Sequence, residues 1–343
     1  MRRRGAEDET RGLWSRILGA LARWFRRAPT PGRYLAGRAG AWNGWLATHP
    51  TVLPRRDYRL YIPKSLSRFR AAPLIVLLHG CRQTPDEIAR GTRIEALADR
   101  LGCYVLLPQQ SEQANPYRCW NWFDIATASG IGEAAIVAAM MDKALKWRRV
   151  DPERTAAIGM SAGAALAAIL GVHHGDKVRA VVSVAGIASG AAATPLTALS
   201  VMRRGPETDV ASIGRAAHAT AKPAARRVPL LAIHGRHDDV VAPLHAAALA
   251  RQFLARNGLD VPSGSDAALP DPDHVRRESP NRGHGFHVRD WETDGRVVVR
   301  LVEVDDLAHA WSGGDSRLAF NDAAGPDATA MIDAFLESAW PKR

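Results

Sequence analysis

Short apolar runs separated by longer stretches of helical spacing recur from Arg56 to Trp340, and no other feature of the chain restricts its fold as strongly. Leu74–Leu78, Tyr104–Leu107, Thr155–Ile158, Ala180–Val184, Leu230–His234 and Val297–Val304 are apolar at nearly every position. A parallel strand covered on both faces needs that pattern. Tyr58, Leu60 and Ile62 alternate with polar neighbours, as in a half-buried strand. Thr84-Pro85-Asp86-Glu87 fits a capping box with proline in the first turn. The helix it opens runs through Ile88, Ile94, Leu97 and Leu101, and Gly102 can end it. Further helices are predicted over 132–148, directly after Ser161, over Pro243–Arg256 and over Pro326–Trp340. Strands alternating with helices predict an α/β fold, a mostly parallel sheet covered by helices on both faces.

The formal charge of +11 suggests a nucleic-acid partner until it is located along the chain. Residues 1–72 hold 16 Lys and Arg against 4 Asp and Glu, and the remainder holds 30 against 31. The working domain is therefore balanced and lacks the excess of basic residues that nucleic-acid binding requires, so no such partner is expected. Residues 1–50 read as an N-terminal segment and linker, and 51–343 as the main α/β domain. Trp14, Ile17, Leu18, Leu21 and Phe25 recur at helical spacing with Arg16, Arg23, Arg26 and Arg27 between them. Pro29 and Pro31 stop that helix, and a Gly/Arg-rich linker runs on to Pro54. The arginines interrupt the apolar stretch and occupy the place of a small-residue cleavage site, unlike a signal peptide of the usual form. No apolar run approaches the roughly 20 residues of a membrane span. The expectation is a cytoplasmic protein, or one held peripherally at a membrane or granule surface through residues 13–27. The three cysteines are too few and scattered for a disulfide framework, and no pair has metal-site spacing.

Gly159-Met160-Ser161-Ala162-Gly163 lies between an apolar run and the Ala-rich stretch Ala164–Leu170. A serine on a sharp strand-to-helix turn is lifted clear of the sheet, and the glycines remove side chains that would strike nearby backbone. The N-terminus of the next helix adds free N–H groups and partial positive charge. Such a serine needs a base, and the base an orienting acid, in the chain order Ser, acid, His. Leu230–His234 runs into Gly235-Arg236-His237-Asp238-Asp239, so either Asp238 or Asp239 can serve. Five histidines lie beyond them. His245 falls in a predicted helix, while His274, His284 and His287 fall in a polar stretch read as a surface loop rather than a metal site. His309 comes after the final strand and precedes Trp311-Ser312-Gly313-Gly314, where the chain order places a base. The oxyanion hole is expected from the backbone N–H of Ala162 and from that of Cys81, in the turn His79-Gly80-Cys81.

Together these residues resemble the poly(hydroxybutyrate)-depolymerase-type esterases, relatives of feruloyl and acetylxylan esterases, from about Arg56 to Trp340. The matching strings are Leu77–Cys81, Asn115–Phe123, Gly159–Gly163, His234–Asp238 and His309–Gly314. The resemblance implies an α/β-hydrolase fold with Ser161 as nucleophile, Asp238 rather than Asp239 as acid, and His309 as base. It also implies an oxyanion turn at Gly80-Cys81 and no metal or cofactor. Ala164 departs from the family's usual second glycine. The implied substrate is an ester, a hydroxyalkanoate oligomer or similar short-acyl ester, with a feruloyl or acetylxylan ester or a peptide as alternatives. Gln83, Trp120, Trp122 and Trp311 are expected to line the substrate cleft, and 190–227, which matches least well, the acyl pocket. Cys81 and Cys119 both sit in matching strings and are expected to approach closely enough to bond, with a reduced pair as the alternative. Secretion, as in many relatives, is the alternative to the cytoplasmic expectation.

Overall fold

Residues 32–41, 55–66, 70–221 and 227–342 are described by a computed structural model. The amphipathic segment read at residues 13–27 lies outside the described residues. Twelve strands and nine helices are described, beginning with β1 (Arg33–Gly40), β2 (Arg55–Ile62) and β3 (Ala72–Leu78). Next come α1 (Pro85–Thr92), α2 (Ile94–Leu101), β4 (Tyr104–Pro108), α3 (Ile125–Ala128), α4 (Gly132–Trp147), β5 (Val150–Met160) and α5 (Ala162–His173). After them are β6 (Val181–Val184), α6 (Pro195–Arg204), α7 (Val210–Thr220), β7 (Leu230–Gly235) and α8 (Leu244–Arg256). The chain ends with β8 (His274–Glu278), β9 (Phe286–Thr293), β10 (Arg296–Val304), β11 (Trp311–Ser312), β12 (Asn321–Asp322) and α9 (Ala328–Ala339).

Ten strands form one sheet in the order β1-β2-β4-β3-β5-β6-β7-β10-β9-β8. The six central strands pair in parallel, and antiparallel strands extend the sheet at both edges. The apolar runs form the central strands because helices cover both faces. All of β3 is buried, with Leu74, Val76 and Leu78 facing one core layer and Ile75 and Leu77 the other. Leu166 of α5 and Phe253 of α8 pack in the first layer, Ile332 and Phe335 of α9 in the second.

Three local expectations are corrected. The linker reading of Arg33–Gly40 gives way to an edge strand, whose antiparallel register with β2 runs from Arg33 opposite Ile62 to Gly40 opposite Arg55. The helix expected through Ile88–Leu101 is two helices, broken at Arg93, whose backbone is left-handed (φ 54°). Gly91 and Thr92 weaken the helix before the break: a methyl at Gly91 would meet Asn321 Nδ2 at 2.6 Å, and the Thr92 hydroxyl bonds back to Ile88 O. The polar stretch of His274 and His287 is not a loop, because both residues lie in strands, β8 and β9, with His284 just before β9. The charged residues of that stretch hid a strand: Asp290 is buried and receives both bonds of the Arg300 guanidinium at 2.7 Å across the β9–β10 pair. The stretch 190–227 contains α6 and α7, and α6 borders the Asp238 loop through Ala242 N–H to Met202 O (2.8 Å). α7 packs on α8 so closely that a methyl at Gly214 would meet Gln252 O at 2.2 Å.

Candidate active site

β5 ends at Met160 and α5 begins at Ala162, so the whole turn falls on Ser161, at φ 55° and ψ −123°. A side chain at that φ is strained, and such strain is kept where surrounding structure enforces it. The two glycines show the enforcement. A methyl at Gly159 would stand 2.3 Å from Gly163 C and O, and one at Gly163 would stand 2.2 Å from Leu78 O. Ala164 fits in place of a glycine because its Cβ meets Gly186, where a methyl would stand 2.6 Å away. Ser161 donates its N–H to Val184 O (2.9 Å) and keeps 9% of its surface exposed.

The carboxylate and imidazole come from the ends of two further parallel strands, β7 and β10. Their loops cross closely: His237 N–H bonds Leu307 O at 3.1 Å, and a methyl at Gly235 would lie 2.1 Å from that same oxygen. The crossing brings His309 Nδ1 to 2.7 Å from Asp238 Oδ2. Asp239, beside it, is exposed. The other Asp238 oxygen accepts the N–H groups of Val240 (3.0 Å) and Val241 (2.8 Å). Burial by itself would raise the Asp238 carboxyl, but the His234 and His309 side chains outweigh it and hold the group well below the usual carboxylate range. His234 Nε2 lies 2.9 Å from Val241 O and 3.4 Å from Asp238 Oδ2, so it braces the same loop. Phe320 stands edge-on to the His309 ring at 6.4 Å. Ser161 makes no side-chain hydrogen bond to His309 among the described residues, and bonds between nucleophile and base commonly tighten only once substrate is bound.

The turn after β3 comes against the serine, since a methyl at Gly80 would lie 3.4 Å from Ser161 Cβ. The backbone N–H groups of Cys81 and Ala162 have no hydrogen-bond partner among the described residues. The turn is fixed from several directions. Cys81 is disulfide-bonded to Cys119 with their Cα atoms 4.2 Å apart, and Arg82 N–H reaches Tyr117 O at 2.7 Å. Gln83 Oε1 accepts Gly80 N–H (2.9 Å). His79 is fully buried, faces Gly80 O through Nδ1 (2.8 Å) and accepts Gln110 N–H at Nε2 (3.1 Å). Burial pushes its pKa down to about 4, which keeps it neutral and able to accept.

Beneath this turn lies a buried polar cluster that sequence reasoning missed. Gln110 Nε2 donates to Glu133 Oε1 (2.6 Å) and Cys119 O (2.9 Å), Arg56 reaches both Gln110 (2.7 Å) and Glu133 (3.1 Å), and Asn121 N–H reaches Glu133 Oε2 (2.7 Å). Glu133 heads α4, but Asp142, Lys143 and Lys146 follow in the same helix, so the sequence did not set it apart.

The expectation that Gln83, Trp120, Trp122 and Trp311 line the cleft is corrected by burial. Trp120 is 0% exposed and packs 5.5 Å from His79, and Trp311 is 1% exposed with its Nε1 donating to Thr329 Oγ1. Trp122, at 4%, stands edge-on to Phe123, and Gln83, also at 4%, spends its carbonyl on Gly80. Large aromatics fill core volume before they line clefts. His284 and His287 face different carboxylates, Asp322 at 3.3 Å and Asp305 at 3.8 Å.

Known proteins share this outline. The family described as "Esterase PHB depolymerase" matches residues 56–275. Poly(3-hydroxyalkanoate) depolymerase C of Paucimonas lemoignei is 30% identical over 211 residues, covering 61% of this chain and 51% of its own length. Feruloyl esterase B of Neurospora crassa is 26% identical over 218 residues, covering 59% of this chain and 73% of its own. The chain thus spans about half the length of the depolymerase. Among solved structures, the acetyl xylan esterase from Aspergillus awamori superposes with a TM-score of 0.61 at 17% identity, over 80% of this chain and 94% of that one. That likeness establishes the α/β-hydrolase fold.

Proposed function

The chain belongs to the Esterase PHB depolymerase family, and on that ground we propose that it hydrolyses carboxylic esters through an acyl-enzyme on Ser161. The observation that carries the reading is one sheet edge that holds a serine on a strained elbow, an Asp238–His309 pair at 2.7 Å, and two backbone N–H groups with no partner among the described residues. In the first half-reaction His309 Nε2 takes the Ser161 proton as Oγ attacks the ester carbonyl. The Cys81 and Ala162 N–H groups receive the oxyanion, and the alcohol leaves with the proton from His309. In the second, His309 deprotonates a water, the water attacks the acyl carbonyl, and the acid departs as the proton returns to Ser161. Asp238 holds the imidazole in the tautomer that leaves Nε2 free to accept.

Hydroxyalkanoate oligomers and similar short-acyl esters are the proposed substrate class, supported by the 30% identity to a poly(3-hydroxyalkanoate) depolymerase. A feruloyl or acetylxylan ester is the second reading, supported by similarity to feruloyl esterase B. A screen of 3-hydroxybutyrate oligomers, aryl acetates to decanoates, methyl ferulate and a matched anilide separates them. Oligomer and short-acyl turnover is expected. A preference for methyl ferulate overturns the substrate class, and anilide cleavage at ester-like rates overturns the esterase reading. The Cys81–Cys119 bond supports an oxidising compartment over the cytoplasmic one. Residues 13–27 are proposed to hold the protein against an anionic or polyester surface. Removing residues 1–30 should then abolish co-sedimentation with anionic vesicles or polyester granules and leave soluble-ester turnover unchanged. Retained co-sedimentation refutes the anchor.

A further inference from the structure

At the edge of the sheet opposite Ser161, where the parallel strands begin, a cleft of about 1060 Å³ opens between the starts of β7 and β10 and the end of α8. Its lining includes Arg179, Arg227, Arg256 and Arg296, against Glu153 and Asp294. Two of these arginines are neutralised: Arg227 pairs with Asp294 at 2.7 Å, and Arg179 reaches Glu153 at 3.3 Å. The other two are not. Arg256 is only 4% exposed, yet its guanidinium has neither a hydrogen bond nor an ion pair among the described residues, and its Nε is sealed from solvent without a partner. Arg179 in the same wall is committed, its Nη1 donating to Gly175 O at 3.0 Å and its Nη2 to Glu153. Arg296 is exposed at the cleft and has no carboxylate partner among the described residues.

An uncompensated buried guanidinium is expensive, and native proteins retain one chiefly where a partner arrives from outside. The carbonyl end of α8 beside Arg256 offsets about half a charge at most, which leaves the cleft cationic. Guanidinium groups present planar forks that match phosphate and carboxylate oxygens. The open donors of Arg256, at the end of α8, and of Arg296, at the start of β10, exceed what one carboxylate can accept and suit the many oxygens of a phosphate group.

We propose that this cleft is a binding site for a small phosphate-bearing polyanion, with Arg256 as its buried anchor and Arg296 at its mouth. The site is independent of the ester chemistry and stands or falls apart from it.

Pyrophosphate is the probe, titrated into the full chain by calorimetry and by thermal unfolding, against sodium chloride at matched ionic strength. Saturable heat and a rise in Tm beyond the chloride control are expected. Arg256→Gln should abolish both, with hydrolysis of a soluble aryl ester reporting that the variant is folded. Should it fail to fold, Arg296→Glu at the exposed position should still weaken Kd by at least about tenfold, the scale of one lost charge-assisted contact. Citrate should bind at least about tenfold more weakly than pyrophosphate. No saturable binding, an unchanged Kd in Arg296→Glu, or citrate binding as tight as pyrophosphate overturns the proposal.

Discussion

Asp238 and Asp239 are neighbours of identical chemistry, and burial alone gives them different roles: one is sealed against His309 and three further partners, the other faces solvent. Asp238→Asn should therefore lower kcat by about 10³–10⁴-fold, since the imidazole loses the partner that fixes its tautomer. Asp239→Asn should leave kcat within about twofold of the parent, as an exposed substitution away from the chemistry does. Steady-state kinetics on an aryl ester checks both, and a reversed order would place the acid one residue later. Ser161→Ala should cost roughly 10⁴–10⁶-fold in kcat while circular dichroism stays unchanged. A folded variant keeping a tenth of the activity would remove Ser161 from the mechanism.

The elements bring these residues together by close approach of backbones. Three strand ends, of β5, β7 and β10, each carry one group of the site, and glycines at 159, 163 and 235 stand where a methyl would meet backbone within 2.3 Å. The oxyanion turn has no helix or strand to hold it and depends on the Cys81–Cys119 bond and the buried cluster below it. Cys119→Ser opens a crosslink spanning 38 residues. The chain-entropy relation puts the stability loss at about 4 kcal/mol. Because the same bond fixes the Cys81 N–H, kcat should fall more than KM rises. Chemical denaturation and kinetics of Cys119→Ser test both parts, and an unchanged kcat in a folded variant would show that the turn holds its shape unaided.

For the molecule as a whole, the buried neutral histidines tie stability to pH. His79 and His245 are each 0% exposed, and burial pushes each pKa down to about 4. Their unfolded value is about 6.5, so between pH 6.5 and 4 only the unfolded chain takes up these protons. Their contribution is complete above about pH 6.5 and is lost as pH falls, at up to about 3 kcal/mol per pH unit for the pair. Thermal unfolding should show a steadily falling Tm from pH 7 to pH 4.5. A flat profile over that interval would mean that both rings take up protons without unfolding.

Features set by chemistry within a few residues were legible before any folding. Short apolar runs bounded by turn residues read as central parallel strands, and Gly159-Met160-Ser161-Ala162-Gly163 between strand and helix reads as a tight elbow, because both depend on local spacing. Thr84 with Glu87 was readable for the same reason, each group bonding the other's backbone within one turn. Packing between distant segments settled the rest. Trp120 and Trp311 had the composition of a cleft wall, but the core took them, since burial depends on what packs against a side chain from elsewhere in the chain. The His79–Gln110–Glu133–Arg56 cluster joins residues as far as 77 positions apart, and Arg256 lacks a partner among the described residues only because of what the fold places around it. Neither leaves a local pattern, because a polar group's partner is a fact of three dimensions.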